Sequence, residues 1–484
     1  MFAPTPSRWH AGRELVGLAG LVVAFVAIGW LFAFAQQPFE APDEVAHLGY
    51  AHELADWRLP EIDRPAVVPA AAVQWQAELD SRGAPRYQGV WVANHPPLSY
   101  RPSVPLVWLA ELTDRADGGL LFLRLANVAS AAAGVVFTYL LASELTAGNR
   151  RLGLAAAALA ALVPQGHIVF SQGLNDGFAF AAGTAVLWAG VRVIRRGATR
   201  CELVLLAATV AAACGARAAT MLLAVATVAY VALARRRAAS IIVAAGVLPA
   251  AALWGWFYVR NIVLYGDLGA SDHLLRLFRR RRRGSVFEMM TRGRTWVGLY
   301  QRLLSPSTLR RAVPPLLTTI TAFLGAGALA AVLVGRRLSR AGVGLGLVAV
   351  GVIVVTIAQH VSGGGNAYPR YLFPVLGVLA ALAAIGADRV VPRAGPLLLA
   401  TALGWWAMLC VRRFRVGVDP LRVRRPRDSG GPPPDVLRVL PVGDAWRLGC
   451  AVALVAGLTV AAAAMLTLDR CSVRGTSERR RSKR

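Results

Sequence analysis

Residues 15–35 read LVGLAGLVVAFVAIGWLFAFA, an apolar run of about 20 residues, the length that spans a bilayer core as a helix. Arg8 and Arg13 precede it, which sets the N-terminus in the cytoplasm by the positive-inside rule. The run ends Ala33-Phe34-Ala35, in the manner of a signal-peptidase site, yet it exceeds the about 7 to 15 apolar residues of a signal segment. It is expected to remain as the first membrane helix.

The rest of the chain has the same character. Of its 484 residues 56% are hydrophobic and 16% charged, and the mean hydropathy is +0.51, too apolar for a soluble protein of this length. Lys and Arg total 53 against 26 acids, a formal charge of +27. On a soluble chain that excess would point to nucleic acid, but no basic groove interleaved with aromatics accompanies it, so no nucleic-acid partner is expected. The basic residues are almost all Arg and cluster between apolar runs, at Arg195-Arg196, Arg235–Arg237, Arg336-Arg337 and Arg479–Arg481, as cytoplasmic loops do. Cys201, Cys214, Cys410, Cys450 and Cys471 lack the spacing of a disulfide framework or a zinc site.

Apolar windows and Arg clusters together predict an all-α, polytopic integral membrane protein of about 12 transmembrane helices. The expected spans are 14–35, 122–144, 152–171, 177–194, two short crossings within 202–234 that turn near Gly215-Ala216-Arg217, then 238–258, 314–334, 342–358, 371–387, 394–411 and 446–467. This gives a transmembrane domain over 1–411 with external loops at 36–121 and 259–312, a basic Pro-rich linker at 412–445, a terminal helix at 446–467 and a basic tail at 468–484. Two stretches conflict with the charge rule: the run Arg279–Arg283 and the segment 412–434 both fall on the external side. The multi-pass chain is placed in the plasma (inner) membrane.

Residues with chemical potential gather at the external helix ends. After the first span comes QPFEAPDEVAHLGYAHEL, residues 37–54, where Pro42 suits a helix start and Asp43 and Glu44 favour its positive end. A short interfacial helix is expected, with Asp43 and His47 on one face and Leu48, Leu54 and Trp57 resting on lipid. Asp43 and Glu44 are either capping acids or carboxylates that take a proton or hold a metal. NHPPLSY, residues 94–100, places His95 before a Pro pair, as a phosphate or Asp43 contact or as a solvated loop residue. Asn175 and Asp176 lie in SQGLNDG, as a helix cap or a second site carboxylate. Arg260 and Asn261 follow Trp254 and Trp256, where anchoring at an aromatic belt competes with a site role. Arg370 and Tyr371 follow Gly363-Gly364-Gly365, and the guanidinium there suits bidentate binding of phosphate. Asp43, His95, Asp176, Arg260 and Arg370 come from five regions yet map to one membrane face.

Taken in order, the DE pair after the first span, HPPL, the ND pair, RNIVLYGD at 260–267 and YPRYLFP at 368–374 resemble the GT-C superfamily of membrane glycosyltransferases. More narrowly, they look like a bacterial family of predicted membrane proteins described as a domain of unknown function, related to protein mannosyltransferases and lipid A aminoarabinose transferases. The similarity covers about residues 14–390. It implies transfer of a sugar from a polyprenyl-phosphate donor to an envelope glycan, lipid or protein acceptor on the external face. Asp43 then matches the catalytic acid, with Glu44 beside it. Asp176 matches a second polar position, and Arg370 a donor-phosphate contact. His47, Asn175, Arg260 and Tyr371 join them as substrate-binding candidates. His95 departs from the pattern, standing where some relatives place Lys. No cofactor is indicated, and Glu44 or Asp176 would position the acceptor or a divalent metal. Competing readings are a flippase for a lipid-linked sugar and a non-catalytic envelope protein. Transporters usually hold their polar groups near the midplane, unlike the arrangement here.

Overall fold

The computed structural model describes residues 8–36, 41, 43–64, 89–113, 118–304, 315–334, 340–417 and parts of 452–464. Helix α1 (Arg8–Ala35) is followed by two short helices, α2 (Glu44–Ala55) and α3 (Val104–Leu112). Then come α4 (Leu120–Leu145), α5 (Arg150–Ala161), α6 (Pro164–Phe170), α7 (Asp176–Arg196), α8 (Arg200–Cys214), α9 (Ala218–Ala234) and α10 (Ala239–Tyr265). The segment after α10 carries α11 (Ser271–Leu277), α12 (Val286–Thr291) and α13 (Gly293–Leu304). Helices α14 (Pro315–Val334), α15 (Arg340–Ser362), α16 (Leu376–Val390) and α17 (Gly395–Gly417) follow, with a 3-10 turn Pro369–Val375 opening α16. The last helical residues, within 452–464, lie along α1, where Gly457 meets Gly20 and Ala464 meets Gly17.

The described residues thus fold into helices without strands, in a chain apolar enough to be a multi-pass membrane protein, but the expected count of 12 is not confirmed. Among the described residues six helices are long and apolar enough to cross, seven if the α5–α6 pair counts as one. That pair, expected as one straight span, bends by 64°. Pro164 opens α6, and a proline has no N–H to continue the ladder of α5. The expected turn at Gly215-Ala216-Arg217 separates α8 from α9. Helix α10 runs past its expected end to Tyr265, where Gly266 at φ +88° takes the left-handed conformation that ends helices.

Small residues bring these helices together. Ala155–Ala161 of α5 are buried all round, Gly134 of α4 faces the Phe180 ring of α7, and Gly183 lies against the Pro374 backbone with no room for a side chain. In lipid such close backbone approach replaces hydrophobic collapse as the source of packing. α4, α5, α7 and α16 form the centre. Leu48, expected on lipid, is fully buried, whereas Trp57 is 88% exposed.

Ionic contacts divide the bundle into two ends. At one, Glu14 pairs with Arg150 at 2.5 Å, Glu144 with Arg195 at 2.7 Å and with Arg196, Glu202 with Arg192 at 2.6 Å, and Arg151 with Asp388. These link the ends of α1, α4, α5, α7, α8 and α16. The opposite end holds the start of α2, the start of α7, the α8–α9 turn and the mouth of α16.

Candidate functional site

The site rests on a buried ion pair. Glu44, the first residue of α2, accepts from Arg124 of α4 through both carboxylate oxygens at 2.8 Å, and both side chains are essentially inaccessible. Arg124 Nη1 also donates to the carbonyls of Ala33 and Gln36 at 2.8 Å, taking up acceptors that the end of α1 leaves free. The Gly173 N–H completes the set at 2.8 Å to Glu44 Oε1. Glu44 therefore binds α1, α4 and the turn before α7 to α2, with both of its oxygens taken up by the protein. Charge-assisted, bidentate geometry of this kind fixes orientation.

With α2 so held, Asp43 stands at its N-terminus. Its side chain makes no capping bond. It accepts instead from Arg370 Nη2 at 2.5 Å through Oδ2 and from Trp91 Nε1 at 3.3 Å through Oδ1. Burial alone would raise the carboxyl, but the nearby Arg370 charge and the hydrogen bonds from Arg370 and Trp91 hold it below the ordinary carboxylate value. Asn175 is likewise an N-cap residue without a capping bond. Its Oδ1 and Asp176 Oδ1 face Arg217 of the α8–α9 turn, the latter at 3.1 Å, and Asp176 Oδ2 lies 4.0 Å from Arg370 Nη1. Two carboxylates and two guanidiniums so alternate across the mouth. Tyr368 and Tyr371 flank Arg370, their ring centres 5.4 and 5.8 Å from it, and Tyr371 bonds His360 at 3.3 Å.

Behind the quartet stand two neutral imidazoles. His47 Nδ1 is 2.8 Å from the Tyr100 hydroxyl, and burial pushes its pKa down to about 3 despite the Asp43 charge. His95 is also held well below the ordinary value, by burial and then by Arg217. Tyr50 stacks on Tyr100 with ring centres 4.1 Å apart and donates to the His95 carbonyl at 2.8 Å. Buried polar atoms without a hydrogen-bond partner gather here: His95 Nδ1, Asn175 Nδ2, Asp176 Oδ2 and Arg217 Nε. Unmet buried groups are costly, and their convergence marks where a polar ligand would bind.

The structure thus brings together Asp43, His47, His95, Asn175, Asp176, Arg370 and Tyr371. Glu44 and Arg260 have other partners. Arg260 Nη2 donates to the Pro60 carbonyl at 2.8 Å, Tyr265 OH accepts from Ile62 N–H at 3.0 Å, and Asn261 donates to the Asn94 and Leu268 carbonyls at 3.0 Å. The RNIVLYGD motif in this way clasps the segment between α1 and α4 at Pro60, Ile62 and Asn94. Pro42 lies outside the described residues. Sequence reasoning missed Arg217, Trp91 and Tyr100. Arg217 carried a signal: an arginine between two short apolar helices, at the end opposite the arginine clusters, is costly without a purpose. Among the described residues no three His, Cys, Asp or Glu side chains gather as metal ligands.

No protein-family model matches the chain and no curated protein does, so the narrower family resemblance gains no support from those comparisons. Among solved structures, ArnT from Cupriavidus metallidurans bound to undecaprenyl phosphate superposes with a TM-score of 0.51 at 15% identity, over 96% of this chain and 78% of that one. The oligosaccharyltransferase of Archaeoglobus fulgidus in the apo form gives a TM-score of 0.41 at 13% identity, over 95% and 56%. Over nearly its whole length the fold of this chain is similar to that of ArnT.

Proposed function

We propose that this protein transfers a sugar, a hexose or a pentose, from a polyprenyl-phosphate donor to a cell-envelope acceptor at the external face of the plasma membrane. The observation that carries this reading is the Asp43 carboxylate, free of any capping role and set against Arg370 where the membrane helices open. The acceptor hydroxyl oxygen attacks the anomeric carbon, the bond from that carbon to the phosphate oxygen breaks, and Asp43 takes the hydroxyl proton. The leaving phosphate keeps the electron pair, and Arg370, with Arg217 behind Asp176, balances the growing negative charge. Arg370 links the two halves of the step. Once the donor phosphate draws the guanidinium to itself, Asp43 loses the charge that holds its pKa down and becomes the stronger base. The likeness to ArnT, whose structure holds undecaprenyl phosphate, supports a prenyl-phosphate donor. Placement of the acids at helix ends rather than at mid-membrane speaks against a flippase.

The test follows label from a prenyl-phosphate sugar into an envelope fraction of cells lacking the native protein. Asp43→Asn keeps size and helix-capping ability but cannot take the proton, so transfer should fall about 100-fold to 10,000-fold with membrane accumulation unchanged. Arg370→Lys, which keeps charge but loses the planar fork, should weaken donor binding. Wild-type transfer by Asp43→Asn removes Asp43 from the mechanism. Unchanged donor affinity in Arg370→Lys and in Arg370→Ala leaves Arg370 an interfacial anchor.

A further inference from the structure

The run Arg279–Arg283, which breaks the positive-inside pattern, is unused by the mechanism above. All five side chains are exposed, and none forms an ion pair with a described acid. The run is nonetheless fixed in place. Arg283 N–H donates to the Ser362 carbonyl at 2.8 Å, and Arg280 Nη1 reaches the Gly364 carbonyl at 3.5 Å. Gly364, at φ +102°, lies against the Arg281 carbonyl with no room for a side chain. The run also adjoins the site. Phe278 meets Trp91 edge-on with ring centres 6.0 Å apart, and Trp91 donates to Asp43.

Five like charges held side by side repel one another, so such a surface suits an anion from outside the protein. The next two helices of the chain indicate where that anion resides. Phe287, Val297 and Met290 are 76%, 54% and 38% exposed, with Arg292 and Arg294 exposed beside them. Helix α13 buries Leu299, Leu303 and Leu304 and turns Val297 outward. Aromatic and aliphatic side chains exposed among arginines are the signature of a surface seated in the lipid headgroup layer. Charge complementarity and this apolar edge together select one occupant.

We propose that Arg279–Arg283, with Phe287, Met290 and Val297, form a membrane-surface platform that gathers anionic lipid headgroups beside the mouth of the Asp43–Arg370 site. Only the further step, that a donor phosphate enters over this platform, rests on the transferase reading. A rim of this kind changes how fast a charged partner arrives more than how tightly it is held.

A photo-crosslinker attached at Phe287→Cys reads the platform locally, in the full-length protein with its native cysteines changed to Ser, in nanodiscs of equal phosphatidylcholine and phosphatidylglycerol. Phosphatidylglycerol should be captured in preference, and the preference should fall at least about fivefold when Arg279, Arg281 and Arg282 are changed to Gln. A control with Arg200, Arg236 and Arg237 changed to Gln removes as many exposed charges from the opposite end and should keep the preference. Equal capture of the two lipids by the parent protein, or equal loss in the control, overturns the platform. Undecaprenyl phosphate at low fraction, set against uncharged undecaprenol, should show the same dependence on the strip. Loss of that dependence overturns the entry step and leaves the Asp43→Asn transfer result standing by itself. A working platform in a protein that transfers from no donor keeps the lipid surface and removes the transferase reading.

Discussion

Asp43 and Glu44 are neighbours in sequence and part company in space, because successive residues on a helix point about 100° apart. The sequence marks both as acids at a helix start, and nothing in it says which faces the mouth. Arg124, far away on α4, decides by claiming Glu44. Asp176 and Arg370 were legible because they stand where apolar runs stop beside Gly or Pro. Arg217 carried a weaker signal, since the same break in apolarity also reads as an ordinary turn. The neutral state of His47 gives a pH prediction. In the unfolded chain this imidazole takes a proton near pH 6.5, but in the folded chain only near about 3. Between those values the unfolded state binds more protons, so stability is intact above about pH 6.5 and is lost as pH falls. His95, also depressed, and Asp43, whose carboxylate is favoured by folding, push in the same direction. The unfolding midpoint of the detergent-purified protein should therefore drop from pH 7.5 to pH 4.5. His47→Gln should decline less steeply, by up to about 1.4 kcal/mol per pH unit. An equally steep decline in that variant would show that His47 does not titrate between the two states.

Helices were readable wherever a long apolar run ended in Arg, Gly or Pro, which is why α1, α4, α7 and α15 lie close to their expected spans. Reading failed where tertiary contact sets the shape. The bend at Pro164 and the 3-10 opening of α16 depend on what packs against them, and hydropathy carries no trace of that. Nor does it distinguish a short crossing from a long one, as α8 and α9 illustrate. The pairing of Glu44 with Arg124 is the element-scale contact that most constrains the site, because it joins four chain segments at one point. Glu44→Gln keeps the shape but leaves the Arg124 charge buried and unmatched. A loss of about 3 to 5 kcal/mol is expected from breaking such a pair. Asp43→Asn, partly exposed and at the mouth, should cost far less. Thermal unfolding of both variants in detergent separates the roles. If Glu44→Gln is as stable as the wild type yet transfers no sugar, Glu44 belongs to the chemistry and not to the scaffold.

At the scale of the whole molecule, the charge pattern and the site describe one polarity. The arginines that compose the positive-inside signal are paired at the end where α4, α7 and α16 finish, with Glu14, Glu144, Glu202 and Asp388 beside them. Asp43, Asp176, Arg217 and Arg370 lie at the other end. Placing the first end in the cytoplasm is a statement about the membrane that the fold does not contain, and labelling tests it. Cys201 is exposed at the start of α8 and serves as a native probe of the arginine-paired end. Trp57, 88% exposed after α2, offers a position at the site end. With the other four native cysteines changed to Ser, Trp57→Cys should react with a membrane-impermeant thiol reagent added to intact cells. Cys201 should react only after the membrane is opened. Neither position is covered by the rest of the protein, so a difference between them reports the side of the membrane and not packing inside the fold. The reverse pattern would put Asp43 in the cytoplasm. The sugar would then be transferred on the inner face, and the arginine clusters at Arg195-Arg196 and Arg236-Arg237 would need a cause other than topology.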